Sequence, residues 1–195
     1  MTSPPDQRRE GETKRAIRSL LRARRRDLGS IQVAASGGRA LASLREIGAW
    51  SAAGAVVVYD ACENEIPTGP AIEAARSAGQ FVFLPAVEQF CFRLWDRGQP
   101  LASGLGGSYG ATGECLTSDR HAIFLVPLVG WNKRGVRLGR GGGFYDRAIA
   151  PMRWNGSLVI GLGYDCQEYD DLPEDPWDIP MDYVITESRV VRSRR

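Results

Sequence analysis

The sequence is poor in the groups most often used for covalent or metal chemistry. Its 195 residues include one histidine, His121, and four cysteines, Cys62, Cys91, Cys115 and Cys166. A single imidazole excludes most histidine-based metal sites and makes a Ser-His-Asp hydrolase depend on one residue. His121 opens an apolar run with no motif around it and reads as structural. No cysteine stands in a C-x-x-C pair, so a zinc ribbon is not expected. No apolar run approaches the roughly 20 residues that cross a bilayer, so no membrane partner is expected. There is no internal repeat and no low-complexity linker. No signal-peptide pattern is visible, so reduced thiols in a cytoplasm are the expectation. The net charge is only +2, and bulk electrostatics do not announce a nucleic-acid protein.

What is present is enough for one packed domain. Hydrophobic residues make up 43% of the chain, and one domain over residues 13–190 is expected. Residues 1–12 are polar and contain proline, and read as a frayed tail. Charge is unevenly placed. Residues 14–26, KRAIRSLLRARRR, carry seven basic side chains and no acid, whereas residues 171–182, DLPEDPWDIPMD, are acidic. That asymmetry suggests an anionic ligand near the basic arm and a cation near the acidic loop.

Helical spacing runs from Thr13 to Leu28, with Ile17, Leu20, Leu21 and Leu28 near one face and basic residues over the rest. Lys14 and Arg18 are four apart and project from the same side. A second helical stretch after Ser30 is weakened by Gly37 and Gly38, and a third covers residues 69–79. Short apolar runs at 54–60, 80–85, 90–96, 121–127, 157–163 and 182–186 read as strands. Strands alternating with helices predict an α/β fold: a single three-layer domain with a largely parallel central sheet flanked by helices. Ligands of such sheets sit beyond the carboxyl ends of the strands, so the loops after Tyr59, Pro127 and Gly163 are the ones to search.

One stretch stands out, RLGRGGGFYDR at 137–147. Glycines let backbone N–H groups approach a ligand with no Cβ in the way, and successive N–H groups can form an anion-binding nest. A short helix is expected to follow, and its positive end favours the same anion. Arg137, Arg140 and Arg147 add charges suited to phosphate oxygens. The stretch is not a Walker A loop, because no lysine follows its glycines, nor a dinucleotide fingerprint. A plain turn with solvated arginines is the alternative reading.

The longer segment VPLVGWNKRGVRLGRGGGFYDR (126–147) resembles the signature of the 5-formyltetrahydrofolate cyclo-ligase family, also called methenyltetrahydrofolate synthetase. The resemblance extends to Lys14 and Arg18 in K-x-x-x-R, to YDACENEIPT (59–68), and to the closing segment 161–187 with its glutamine, L-P, D-I-P and final T-E. Two departures stand out: Glu114 is followed by Cys115 where the family often has Glu-Pro, and Trp131-Asn132 replaces a common Phe-Asp.

The resemblance implies ATP- and Mg2+-dependent closure of 5-formyltetrahydrofolate to 5,10-methenyltetrahydrofolate, with release of ADP and phosphate. It implies an ATP site made by Lys14, Arg15, Arg18, Arg137, Leu138, Gly139, Arg140, Gly141, Gly142, Gly143, Phe144 and Tyr145. Arg137, Tyr145 and Asp146 are the implied catalytic group, and Asp146 and Asp178 the implied magnesium carboxylates. A reduced folate would be met by Asp60, Glu65, Tyr109, Phe144 and Tyr145. Each has a plainer reading: a helix cap for Asp146, loop acids for Asp178 and Glu65, core packing for Phe144 and Tyr145.

The expected partner is a small molecule, not nucleic acid, and the expected assembly a monomer or homodimer. Two rivals come from other classes. A basic-helix nucleic-acid binder would use residues 14–26, though no RRM, KH or helix-turn-helix signature appears. A folate- or nucleotide-binding relative could lack turnover.

Overall fold

The computed structural model describes residues 5–86, 89–96, 98–99, 102–103 and 109–194. Valine- and isoleucine-rich runs buried on both faces build the centre of the sheet. β1 (Ala55–Val57) is buried at every residue, and β6 (Ala122–Pro127) at all but its last. The seven-stranded order is β11-β10-β9-β6-β1-β2-β3. β2 (Phe81–Ala86), β1, β6, β9 (Leu158–Leu162) and β10 (Tyr183–Ile185) run parallel, whereas β3 (Cys91–Leu94) and β11 (Val190–Arg192) are antiparallel edges. The sheet is therefore largely parallel, as its sequence pattern predicts.

Two apolar layers cover it. One face, through Val56, Leu84, Ile123 and Ile160, packs on α2 (Ser30–Glu46), α3 (Ala49–Ala52) and α4 (Gly69–Ser77). The other, through Val57, Phe92, Phe124 and Val159, packs on Ala148 and Ile149 of α5 (Phe144–Ile149) and on Met152 and Met181. β4 (Ala102–Ser103) and β5 (Tyr109–Gly110) form a separate short pair in the long 97–119 connection.

Several details differ from expectation. α1 (Pro5–Arg26) begins eight residues before Thr13, so most of the expected tail is helical. Proline is favoured in a first helical turn, and the Gln, Arg and Glu residues after it are good helix formers. α2 runs unbroken through Gly37 and Gly38. A Cβ at Gly37 would lie 2.6 Å from the Pro67 carbonyl oxygen, so this glycine lets α2 approach the loop before α4. The expected break near Pro151 is present: α5 ends at Ile149 and a 3-10 turn covers Ala150–Asn155.

Between β6 and α5 lies an element that periodicity does not reveal. β7 (Gly130–Trp131) and β8 (Arg137–Leu138) form a hairpin, and Asn132 builds its turn by accepting the Arg134 and Val136 amides at 3.0 and 3.1 Å. Its neighbour Trp131 is buried and donates from its indole N–H to the Tyr164 carbonyl at 2.9 Å. Ile17 and Leu21 of α1 pack against Val129, Val136 and Leu138. That contact docks the basic helix on the hairpin carrying the glycine stretch.

Candidate functional site

The glycine stretch bridges β8 and α5 on the carboxyl-end side of the sheet. Gly141 at φ 108° and Gly143 at φ 59° take left-handed conformations that other residues adopt at a cost. α5 has only six residues, so anion affinity here rests on loop amides and side-chain cations more than on a helix dipole. Beside the loop opens a cavity of about 570 Å3, within the roughly 300–1,000 Å3 of small-molecule sites. All three searched loops reach it, through Tyr59 and Asp60, through Pro127 and Leu128, and through Pro173, Asp175, Trp177 and Asp178.

Most residues singled out from sequence meet here. Lys14, Arg18, Asp60, Glu65, Arg137 to Asp146, and Asp178 all line the cavity. Arg15 does not: it is exposed, because one step along a helix turns a side chain away from the Lys14/Arg18 face. Tyr109 lies in β5, but its side chain is outside the described residues. Arg147 is exposed and turns back on the loop, donating to the Gly142 carbonyl and, at 3.2 Å, to the Gly143 carbonyl. His121 is away from the cavity, with Nε2 2.8 Å from the Gly156 carbonyl oxygen.

The cationic wall is held from behind. Arg18 Nε donates to the Gly139 carbonyl at 2.8 Å and so ties α1 to the loop. Burial lowers the Arg18 pKa, against the pull of Asp175 and Asp178. Lys14 Nζ pairs with Asp175 at 2.7 Å. The Arg137 guanidinium, 6% exposed, pairs with Asp146 at 2.6 Å, while its buried Nε–H has no partner among the described residues. A buried unpaired donor on an arginine is costly, and an anionic ligand would satisfy it.

Asp146 does not cap α5; the helix has no side-chain cap, and Asp146 Oδ1 instead accepts from Arg137 and from the Ile179 amide at 3.1 Å. Asp178 accepts the Asp175 amide at 2.8 Å and closes a tight acidic turn. Burial raises the Asp178 pKa; the amide bond opposes the shift, and the charges of Asp146 and Asp175 add to it. The half-buried Asp178 carboxylate, with Asp146 and Asp175 near enough to raise its pKa further, fits a cation. Among the described residues no group of three or more His, Cys, Asp or Glu is close enough to hold a metal unaided. Magnesium in general takes one or two carboxylates and draws its other ligands from phosphate and water.

Glu65 reaches the same cavity from the loop after β1. Two successive left-handed residues, Glu63 at φ 50° and Asn64 at φ 61°, bend the chain before it. Tyr59 Oη donates to the Ile66 carbonyl at 2.8 Å and Thr68 Oγ1 to the Tyr59 carbonyl at 2.7 Å, which lock this strained loop. The Glu65 side chain is 4% exposed and stands between two cations, with Arg140 at 3.0 Å and Arg25 at 3.6 Å. Burial lowers the Arg140 pKa, but the Glu65 charge and hydrogen bond outweigh it and hold the guanidinium firmly protonated. Burial likewise raises the Cys62 thiol, with Glu65 adding to the shift and Arg140 opposing it.

Phe144 and Tyr145 do two things. They line the cavity, and they pack edge to face on each other and against Phe92. Burial pushes the Tyr145 hydroxyl well up, which Arg137 only partly opposes, so the phenol stays neutral at neutral pH.

Sequence reasoning missed Arg25, which sits in a basic run but is 1% exposed. It donates to the Leu128 carbonyl at 3.1 Å and pairs with Glu63 and Glu65. Tyr59, Cys62, Asp175 and Trp177 also line the cavity without having been singled out. Their adjacency to Asp60, Glu65 and Asp178 was the available signal.

Comparison with known proteins shows the family. The model of the 5-formyltetrahydrofolate cyclo-ligase family matches residues 10–187. A 5-formyltetrahydrofolate cyclo-ligase of Escherichia coli K12 is 30% identical over 179 residues, covering 88% of this chain and 98% of that protein. One from Haemophilus influenzae is 30% identical over 134 residues, 65% of this chain and 72% of that one. Among solved structures, a 5,10-methenyltetrahydrofolate synthetase of Aquifex aeolicus superimposes with TM-score 0.78 at 26% identity, covering 93% of each chain.

Proposed function

Because this chain belongs to the 5-formyltetrahydrofolate cyclo-ligase family and is an enzyme of it, we propose that it closes 5-formyltetrahydrofolate to 5,10-methenyltetrahydrofolate with ATP and Mg2+. One observation carries this reading. A single cavity joins the phosphate-suited loop and its cations, the Asp146/Asp178 pair and the buried carboxylate of Glu65.

The chemistry suits a site without a protein nucleophile. A formamide carbonyl is a poor electrophile. Its oxygen attacks the γ-phosphorus of ATP, the bond to ADP breaks, and ADP leaves with the electron pair. The folate's neighbouring nitrogen then attacks the formyl carbon, the five-membered ring closes, phosphate departs with the C–O electrons, and the attacking nitrogen loses its proton. Both nucleophiles belong to the substrate, so the protein's work is alignment and charge stabilisation.

The chain supplies these as follows. Lys14, Arg18, Arg137 and the amides of Gly139 to Gly143 bind the phosphates, with Arg140 available to them on release from Glu65. Asp146 and Asp178 would hold magnesium, which supplies further neutralisation of phosphoryl charge when bound. Glu65 accepts hydrogen bonds from the amino and ring N–H groups of the pterin. Phe144 and Tyr145 support the loop and shield the reacting atoms from water. The buried Arg25 and the ties of Arg18 and Arg22 to Gly139 and Glu63 turn much of the basic helix inward, which favours an enzyme over a nucleic-acid binder.

The test is to mix the protein with Mg2+, ATP and 5-formyltetrahydrofolate and follow the methenyl product in the near ultraviolet. Product that requires all three supports the proposal. Nucleotide binding without product leaves a binding relative that lacks turnover.

A further inference from the structure

Trp177 is 70% exposed, yet it lines the cavity mouth. Its indole offers a broad flat apolar face with a polar N–H beside the ligand space. Its turn is well held. Asp178 N–H donates to the Asp175 carbonyl at 3.0 Å, Asp175 N–H to Asp178 Oδ2 at 2.8 Å, and Ile179 N–H to Asp146. Pro173, Pro176 and Pro180 stiffen it further. The indole is thus presented on a rigid support, and a flat ligand would meet a platform that loses little freedom on binding.

The identity of that ligand follows from the proposed function, on which this inference rests. Transfer from ATP to the formyl oxygen requires the pterin to abut the γ-phosphate. Along the cavity the order must therefore be pterin, triphosphate, ribose, base. Glu65 marks the pterin end, and its partners are Cys62, Arg25 and Arg140. The Trp177 turn is tied instead to the Lys14 and Asp146 side of the cavity. The base, farthest from the pterin, falls to that side.

We infer that Trp177 is the stacking platform for the purine base of the nucleotide, at the mouth of the cavity. Base-on-indole stacking removes exposed apolar surface from both partners and is tolerant of which purine is present.

The experiment is titration of wild type, Trp177→Ala and Trp177→Phe with ADP, with tripolyphosphate, and with 5-formyltetrahydrofolate, alongside the KM values of the reaction. The expected result is ADP binding weakened about tenfold in Trp177→Ala and largely restored in Trp177→Phe. The KM for ATP rises in parallel, whereas tripolyphosphate, which has no base, binds all three proteins equally. Wild-type ADP affinity in Trp177→Ala overturns the inference. So does tripolyphosphate weakened as much as ADP, which would mean a collapsed turn. Weakened folate binding with unchanged ADP binding also overturns it, by placing the indole on the pterin. Wild type that binds no nucleotide removes the proposed function itself, a distinguishable outcome.

Discussion

Arg140 of the glycine loop donates to the buried carboxylate of Glu65 at 3.0 Å, although the two residues are 75 positions apart. The family resemblance implies phosphate for one and pterin for the other, and neither could serve its ligand fully while they hold each other. Nucleotide on the loop would draw Arg140 toward phosphate and free an acceptor oxygen of Glu65. We expect ADP to tighten 5-formyltetrahydrofolate binding several-fold, and Arg140→Gln to abolish that dependence; calorimetry with and without ADP measures it. Glu65→Gln should raise the folate Kd at least tenfold and tighten ATP rather than weaken it, because it loosens the hold on Arg140. Arg25 would keep Glu63 and the Leu128 carbonyl, so the fold should survive this substitution.

Asp146 is joined to Arg137 and to the Ile179 amide, so it links the glycine loop to the acidic turn. Asp146→Asn keeps the shape and removes the charge. Turnover should fall by about 10² to 10³, the usual effect of losing one charge contact in a closed site. The Mg2+ concentration for half-maximal rate should rise, and the melting temperature should fall too, because the buried Arg137 loses its counter-charge. Unaltered metal dependence would remove Asp146 from the cation site.

Asp165 opens a 3-10 turn (Asp165–Gln167) three residues past β9 and holds the turn between β10 and β11, where it accepts from Arg189 Nε at 3.0 Å and from the Ser188 hydroxyl. Burial raises its pKa, but the hydrogen bonds from Ser188, Arg189 and Thr186 outweigh this and leave it below 3.8. The unfolded chain therefore takes up the proton first as pH falls. The stabilisation is complete above the unfolded value and is lost as pH drops through the folded one. Denaturant unfolding between pH 5 and 2.5 should show a steeper acid loss for wild type than for Asp165→Asn.

Gly37→Ala pits local propensity against packing. In an exposed helix the change would stabilise by about 1 kcal/mol. Here the new methyl would press on the Pro67 carbonyl, a backbone atom that cannot swing aside. We expect a net loss of about 1–3 kcal/mol in urea unfolding. A gain would show that α2 can move off the loop freely.

Much of this was legible in the sequence, and the exceptions share a cause. Runs such as AVV and AIFLVP announce buried parallel strands because both their faces are apolar. Gly139 to Gly143 and Asp146 are legible as a group because they are contiguous. The β7/β8 hairpin is not, since its strands have two residues each and Asn132 sets their turn through its side chain. Nor is Arg25, whose burial depends on Glu63 and Glu65 nearly 40 positions away, among arginines that look alike in one dimension. Asp178 was visible as an acid in an acidic stretch; its turn with Asp175 was not.

The most direct measurement is a structure of the protein with Mg2+ and a non-hydrolysable ATP analogue. The account predicts phosphate oxygens against the amides of Gly139 to Gly143, within reach of Lys14, Arg18 and Arg137. Phosphates bound elsewhere, with that bend between β8 and α5 left empty, would contradict it.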